Sequence, residues 1–123
     1  HVHLHVGDID RGSAFFSNTL GFDRITWRYP GALFLGAGGY HHHLGTNTWA
    51  GPGARNPQDD DARLLEWTIE VPAEDDVAAA ARSLADAGYR VDGAPPNAIV
   101  TSDPWGTAIR IVATGAAPND KRP

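Results

Sequence analysis

Apolar and polar residues alternate at the head of the chain, where His1-Val2-His3-Leu4-His5-Val6 has the period of two that predicts a β-strand. Val2, Leu4 and Val6 then share one face, and His1, His3 and His5 share the other. Gly7-Asp8-Ile9-Asp10 offers helix N-caps, and Arg11 to Leu20 reads as a helix stopped by Gly21, a residue suited to the left-handed position after a helix. Phe22 to Arg28 and Ala32 to Ala37 read as strands separated by the turn Pro30-Gly31. Gly38-Gly39 turns the chain again, into an extended run from Tyr40 to Thr48. On that run His41 and His43 share a face.

The same order recurs in the second half. Leu64 to Val71 alternates as a strand, Glu74-Asp75-Asp76 suits the first turn of a helix that continues through the alanine-rich Val77 to Ala87, and Gly88 stops it. Arg90-Val91, Ala98 to Thr101 and Thr107 to Ala113 are the further strands, with Pro95-Pro96 and Asp103-Pro104-Trp105-Gly106 as turns. Two strand-helix-strand-strand-strand modules follow, residues 1–49 and 64–114. A breaker-rich, acidic linker at 50–63 joins them, and a polar tail runs from 115 to 123. Neither module is long enough to bury a core alone, so the two are expected to pack as one domain.

The repeat serves as a ruler. His1 lies 20 residues before Gly21 and Glu66 lies 22 before Gly88; allowing the second helical segment two more residues makes His1 and Glu66 equivalent. His43 is 42 residues after His1 and Arg110 is 44 after Glu66, which pairs His43 with Arg110 under the same allowance. If the aliphatic faces pack on the helices, the opposite faces line a concave trough that receives His1, His3, His41, His43, Glu66, Thr68 and Arg110.

Composition narrows the chemistry. At 41% hydrophobic and 20% charged residues, the chain is that of an ordinary globular domain. It carries a net charge of −5 and Lys121 as its one lysine, which argues against a nucleic-acid partner. No apolar run approaches a membrane span. The absence of cysteine leaves His, Asp and Glu as the possible metal ligands and fits a cytoplasmic location. With no methionine and a first residue already in a patterned strand, the sequence reads as part of a longer protein.

All six histidines fall in two patches, HVHLHV and the triplet His41-His42-His43. Imidazole is the commonest protein ligand of transition metals and the usual proton carrier near neutral pH. A solvated polar face accounts for a single alternating histidine pair; two patches with no histidine elsewhere point to a site. Two imidazoles and a carboxylate would suit a labile divalent metal, with His1, His43 and Glu66 as the donors. An ion pair between Glu66 and Arg110 is the alternative use of those two residues.

Residues HVHLHVGDIDRGSAFFSNTLGF, LLEWTIEVP and SDPWGTAIRI resemble the vicinal oxygen chelate superfamily of glyoxalases, bleomycin-resistance proteins and extradiol dioxygenases. More narrowly, PGALFLGAGGYHHHLGTNTWAGPGA is similar to the C-terminal domain of two-domain bacterial catechol 2,3-dioxygenases. The resemblance implies an α+β fold of two βαβββ modules forming an incomplete barrel around the trough. It implies metal ligands on the first, fourth, fifth and eighth strands, here His1, His43, Glu66 and Arg110, of which the guanidinium of Arg110 cannot ligate. It further implies Fe(II), or Mn(II), Ni(II) or Zn(II), and a small aromatic, catechol-type substrate, for which Tyr40 and Trp49, flanking the histidine strand, and Thr68, on the trough face, are the candidate contacts. His3 or His41 would move a proton and Arg110 would stabilise an anion. A homodimer, or pairing with an upstream domain, is expected. The alternatives are a metal-free protein that binds an aromatic natural product and a non-catalytic companion domain.

Overall fold

The computed structural model describes residues 1–25, 30–51, 53 and 55–115. The chain divides into two compact units, His1–Asp61 and Ala62–Pro123. Each is a βαβββ module with its own four-stranded sheet, so the α+β class expected from the resemblance holds.

In the first module β1 (Val2–His5) leads into a helix that starts as α1 (Ile9–Ser13) and widens to a π-helical stretch over Ala14–Thr19. Asp8 caps it, its carboxylate accepting the Arg11 N–H at 2.9 Å. Strands β2 (Asp23–Arg24), β3 (Ala32–Gly36) and β4 (Leu44–Asn47) complete the sheet, in spatial order β1-β4-β3-β2, with β1 and β4 parallel and the other pairs antiparallel. Register alternates the faces as the sequence requires. Leu4, Leu35, Leu44 and Thr46 are buried on one side, where Phe15 and Phe16 of the helix are also buried. His1, His3 and His5 lie on the other and are exposed.

In the second module β5 (Glu66–Val71), α2 (Glu74–Asp86), β6 (Asp92–Gly93), β7 (Ala98–Ser102) and β8 (Ala108–Ala113) repeat the order and the topology, β5-β8-β7-β6 with β5 and β8 parallel. Val77 and Leu84 of α2 are buried, as are Ile99, Ile109 and Ile111 of the sheet. Glu66, Thr68 and Glu70 occupy the exposed face of β5.

Several boundaries differ from expectation. Of the strand expected at 22–28, Asp23–Arg24 forms, and 26–28, including Trp27, lie outside the described residues, as does Tyr29. The short strand expected at Arg90-Val91 forms at Asp92–Gly93, whereas α2 begins at Glu74 with Glu74, Asp75 and Asp76 in its first turn, as expected. The larger correction concerns the histidine run: only Leu44–Asn47 of the expected Tyr40–Thr48 strand is extended in the sheet. Residues 37–43 form a seven-residue connection from β3 to β4, with Gly38 and Gly39 both at positive φ (62° and 79°), a conformation that glycine adopts without a Cβ clash.

That connection also corrects the ruler. The matching connection in module two, residues 103–107, is two residues shorter, which cancels the two extra residues on the helix side. Both parallel pairs therefore run at one offset, Val2 opposite Leu44 and Glu66 opposite Ala108, 42 residues in each case. Arg110 stands opposite Thr68. Once His1 is matched to Glu66, the sheet counterpart of Arg110 is Gly45 rather than His43.

Candidate functional site

The exposed face of the first sheet gathers rings. Period-two alternation on β1 projects His1 and His3, whose ring centroids are 6.5 Å apart. Phe34 of β3 lies 6.4 Å from His3, and Trp49, just beyond β4, lies 6.1 Å from it. Trp49 is held as a wall: its Nε1–H donates to the Pro30 carbonyl at 3.1 Å, and its indole lies against Gly31, where a Cβ would come within 3.3 Å of the ring. Gly31 also has φ +71°, so a side chain there would be strained twice over.

The triplet splits because it is a loop. His41 and His43 do share a side, but it is the side of Tyr40, with centroids 4.2 and 4.5 Å from the phenol. His43 accepts the Ala37 N–H on Nδ1 at 3.2 Å, closing the turn, and its backbone joins both neighbouring strands. His42 turns the other way, 4.6 Å from His1 and 5.2 Å from Phe34. Burial pushes the His42 imidazole below its ordinary pKa, and the neighbouring His41 adds to the shift. The His41 and His42 Nδ1 atoms stand 3.2 Å apart, so one of them carries the shared proton.

Beneath the rings lies Asn47, 2% exposed, with its side-chain amide 2.7 Å from His3 Nε2 and its Oδ1 accepting the Trp49 N–H at 3.0 Å. Gly45 gives the imidazole room, since a Cβ there would sit 2.7 Å from His3 Nδ1.

In module two the expected face residues come together differently. Arg110 Nε donates to Glu66 Oε1 at 3.1 Å, with both side chains about two-fifths exposed (40% and 41%). Thr68 is their neighbour across the β5-β8 register. Asp103, in the DPWG turn, is buried, and its Oδ1 accepts the N–H groups of Trp105 (2.9 Å) and Thr107 (3.1 Å). Burial raises its pKa above the ordinary 3.8, partly opposed by hydrogen bonds from the backbone of Thr107, Trp105 and Gly106.

The structure thus brings His1 and His3 together with His42, and Glu66 together with Arg110, while His41, His43 and Tyr40 form the loop beside β4. His42, Asn47 and Phe34 were not among the expected site residues. Glycines on both sides of the triplet were the one signal that it is a loop. Nothing local to the sequence marks Asn47, which belongs to the site through its reach to a residue 44 positions away. Among the described residues no three His, Asp or Glu side chains are grouped so as to hold a metal, and no helix is long and apolar enough to cross a membrane.

Two βαβββ modules with this topology and a histidine-bearing first sheet define the class. The chain belongs to the Glyoxalase/Bleomycin resistance protein/Dioxygenase superfamily, whose family model matches residues 1–111. Its relatives include a catechol-2,3-dioxygenase of Bacillus subtilis (strain 168), 40% identical over 94 residues; these are 75% of this chain and 33% of that protein. The chain therefore spans about a third of the length of the curated relative it matches. Among solved structures it is similar to a glyoxalase/bleomycin resistance protein from Streptomyces sp. CB03234, at 25% identity and TM-score 0.61, covering 91% of this chain and 98% of that one. The fold is also that of the fosfomycin resistance protein FosX from Listeria monocytogenes, solved with Mn(II) and sulfate, at 13% identity and TM-score 0.67, covering 96% and 89%.

Proposed function

We propose that this chain is a dioxygenase-type domain that binds a small catechol-like aromatic on the exposed face of its first sheet. The observation that carries the reading is the set of rings on that face: His1, His3, His42, Phe34 and Trp49 stand within ring-contact distance of one another around His3 and His42. A flat aromatic gains most where it can lie against fixed rings, and Trp49 is fixed by its hydrogen bond to Pro30. Phenolic hydroxyls need partners that both donate and accept, and neutral imidazoles supply both. The likeness to a catechol-2,3-dioxygenase supports the same substrate class.

The superfamily includes metal enzymes, so the fit of a divalent metal to the expected donors matters. His1 and His43 are chemically suitable, although His43 Nδ1 is engaged with Ala37. Glu66 is held by the permanently charged guanidinium of Arg110, which has no lone pair to give, and Ala108, the register counterpart of His43, has no donor either. With Glu66 engaged by Arg110, the donor chemistry of the second module does not fit a resident metal. What the chain's own residues do is bind and orient: Trp49 and Phe34 flank the ring, His3 and His42 meet its oxygens, and His41 passes protons between His42 and solvent.

The ion pair of Glu66 with Arg110 specifically favours a second reading, sequestration of an aromatic without catalysis. One experiment tests both. The protein is titrated with 4-nitrocatechol, read by its absorbance shift, after chelator treatment and again after anaerobic loading with Fe(II), and oxygen uptake is then recorded. Binding with Fe(II)-dependent oxygen uptake supports the enzyme; binding alone supports sequestration. No binding in either state, with His3→Gln indistinguishable from wild type, refutes both.

A further inference from the structure

We infer that Asn47 is a positioning residue that locks His3 in its Nδ1–H tautomer, so that the first sheet presents a fixed imidazole donor to an anionic oxygen of the ligand. The Trp49 backbone N–H can only donate, and it lies 3.0 Å from one end of the Asn47 amide, which must therefore be the oxygen. The other end, 2.7 Å from His3 Nε2, is then the NH2 group, which can also only donate. Two donors cannot face each other at that distance, so Nε2 carries the lone pair and the ring proton sits on Nδ1.

Burial makes the lock strict. Asn47 is 2% exposed, and flipping its amide would leave the Trp49 N–H facing an NH2 group and put the amide oxygen against His3 Nε2. The ring is also fixed in place. It lies down on β4 over Gly45, where any Cβ would come 2.7 Å from Nδ1 and 3.0 Å from Cε1. Among the described residues His3 Nδ1 has no hydrogen-bond partner, and it lies on the face walled by His1, Phe34 and Trp49. A donor held in that position recognises an oxygen carrying negative charge on a planar aromatic: a catecholate or phenolate, or a ring carboxylate.

The ligand class rests on the functional reading above; the tautomer does not. Two-bond proton–nitrogen correlation spectra of the 15N-labelled full chain, at mildly alkaline pH, distinguish protonated from unprotonated imidazole nitrogens, and His3→Gln assigns the signals. In the wild type, His3 is expected to show a protonated Nδ1 and an unprotonated Nε2. Asn47→Asp keeps an oxygen for the Trp49 N–H but can only accept from His3, so Nε2 becomes protonated. Gly45→Ala lifts the ring off Asn47 and replaces the single tautomer by an average, an independent route to the same loss should Asn47→Asp fold poorly. A wild-type His3 protonated at Nε2, or a pattern unchanged in both variants, overturns the lock. With 4-nitrocatechol as the probe, the lost donor is expected to weaken binding about tenfold or more in Asn47→Asp. Equal affinity in wild type and Asn47→Asp overturns the donor role. No binding by wild type overturns the ligand reading, while the nitrogen spectra still decide the lock.

Discussion

Arg110→Ala is the sharpest perturbation of the second module, because it removes one partner of a defined pair without touching the core. Arg110 Nε and Glu66 Oε1 are 3.1 Å apart with each side chain about 40% exposed (40% and 41%), so solvent and salt screen the pair. Exposed pairs of this kind contribute roughly 0.2–1 kcal/mol, and the variant is expected to lose no more than that in urea unfolding. Its effect on cations is larger. A unit positive charge about 4 Å from a divalent ion costs on the order of 2 kcal/mol in a water-like dielectric, and screening at physiological salt brings this to about 1 kcal/mol. Freed of that repulsion, Glu66 should bind Mn(II) about five- to thirtyfold more tightly in Arg110→Ala than in wild type, as measured by equilibrium dialysis. The gain should vanish in Arg110→Ala/Glu66→Ala. A Mn(II) affinity within about twofold of wild type in Arg110→Ala would refute the idea that the guanidinium withholds Glu66 from a metal.

Three further outcomes follow from packing and hydrogen bonding. Asp103→Ala leaves the buried N–H of Trp105 and the part-buried N–H of Thr107 without their acceptor and should cost about 1–3 kcal/mol in urea unfolding, whereas Asp103→Asn keeps the oxygen and should be tolerated. Because burial raises the folded-state pKa of Asp103, its contribution is fully present below the ordinary value of 3.8 and lost as pH rises through the raised value. Asp103→Asn should therefore gain on wild type as pH increases across that window, and a constant difference would contradict it. Ala73 occupies the N-cap of α2 in extended conformation with no side chain to cap, although Asp76 accepts the Ala73 N–H at 3.0 Å. Ala73→Ser completes the reciprocal pair and should stabilise by roughly 1 kcal/mol, read as a higher Tm. Leu84→Ala, at a side chain with no exposed surface, should cost about 2–5 kcal/mol, and a loss well under that range would show the α2 side of the sheet to be loosely packed.

Local patterning was enough to read the elements and their faces. Alternation and helix period are local properties, and the hydrophobic effect forces Val2 and Leu4 to one side and His1 and His3 to the other whatever the rest of the chain does. The repeat made the two-module order legible for the same reason, as the same local pattern occurs twice. It also placed Glu66 and Arg110 on one face, because parallel strands at a fixed offset keep that alternation. What the sequence could not determine was how the connection between β3 and β4 distributes its residues. Three consecutive histidines have no internal signal to separate strand from loop, and two extra residues in that connection shift every ruler-based equivalence by one full alternation. Folding places His42 rather than His43 against His1, sets Arg110 opposite Thr68, and brings Asn47 to His3. Those are contacts between residues some forty positions apart, set by register and by which backbone N–H groups still need a partner, and no window along the chain contains both members of any of them.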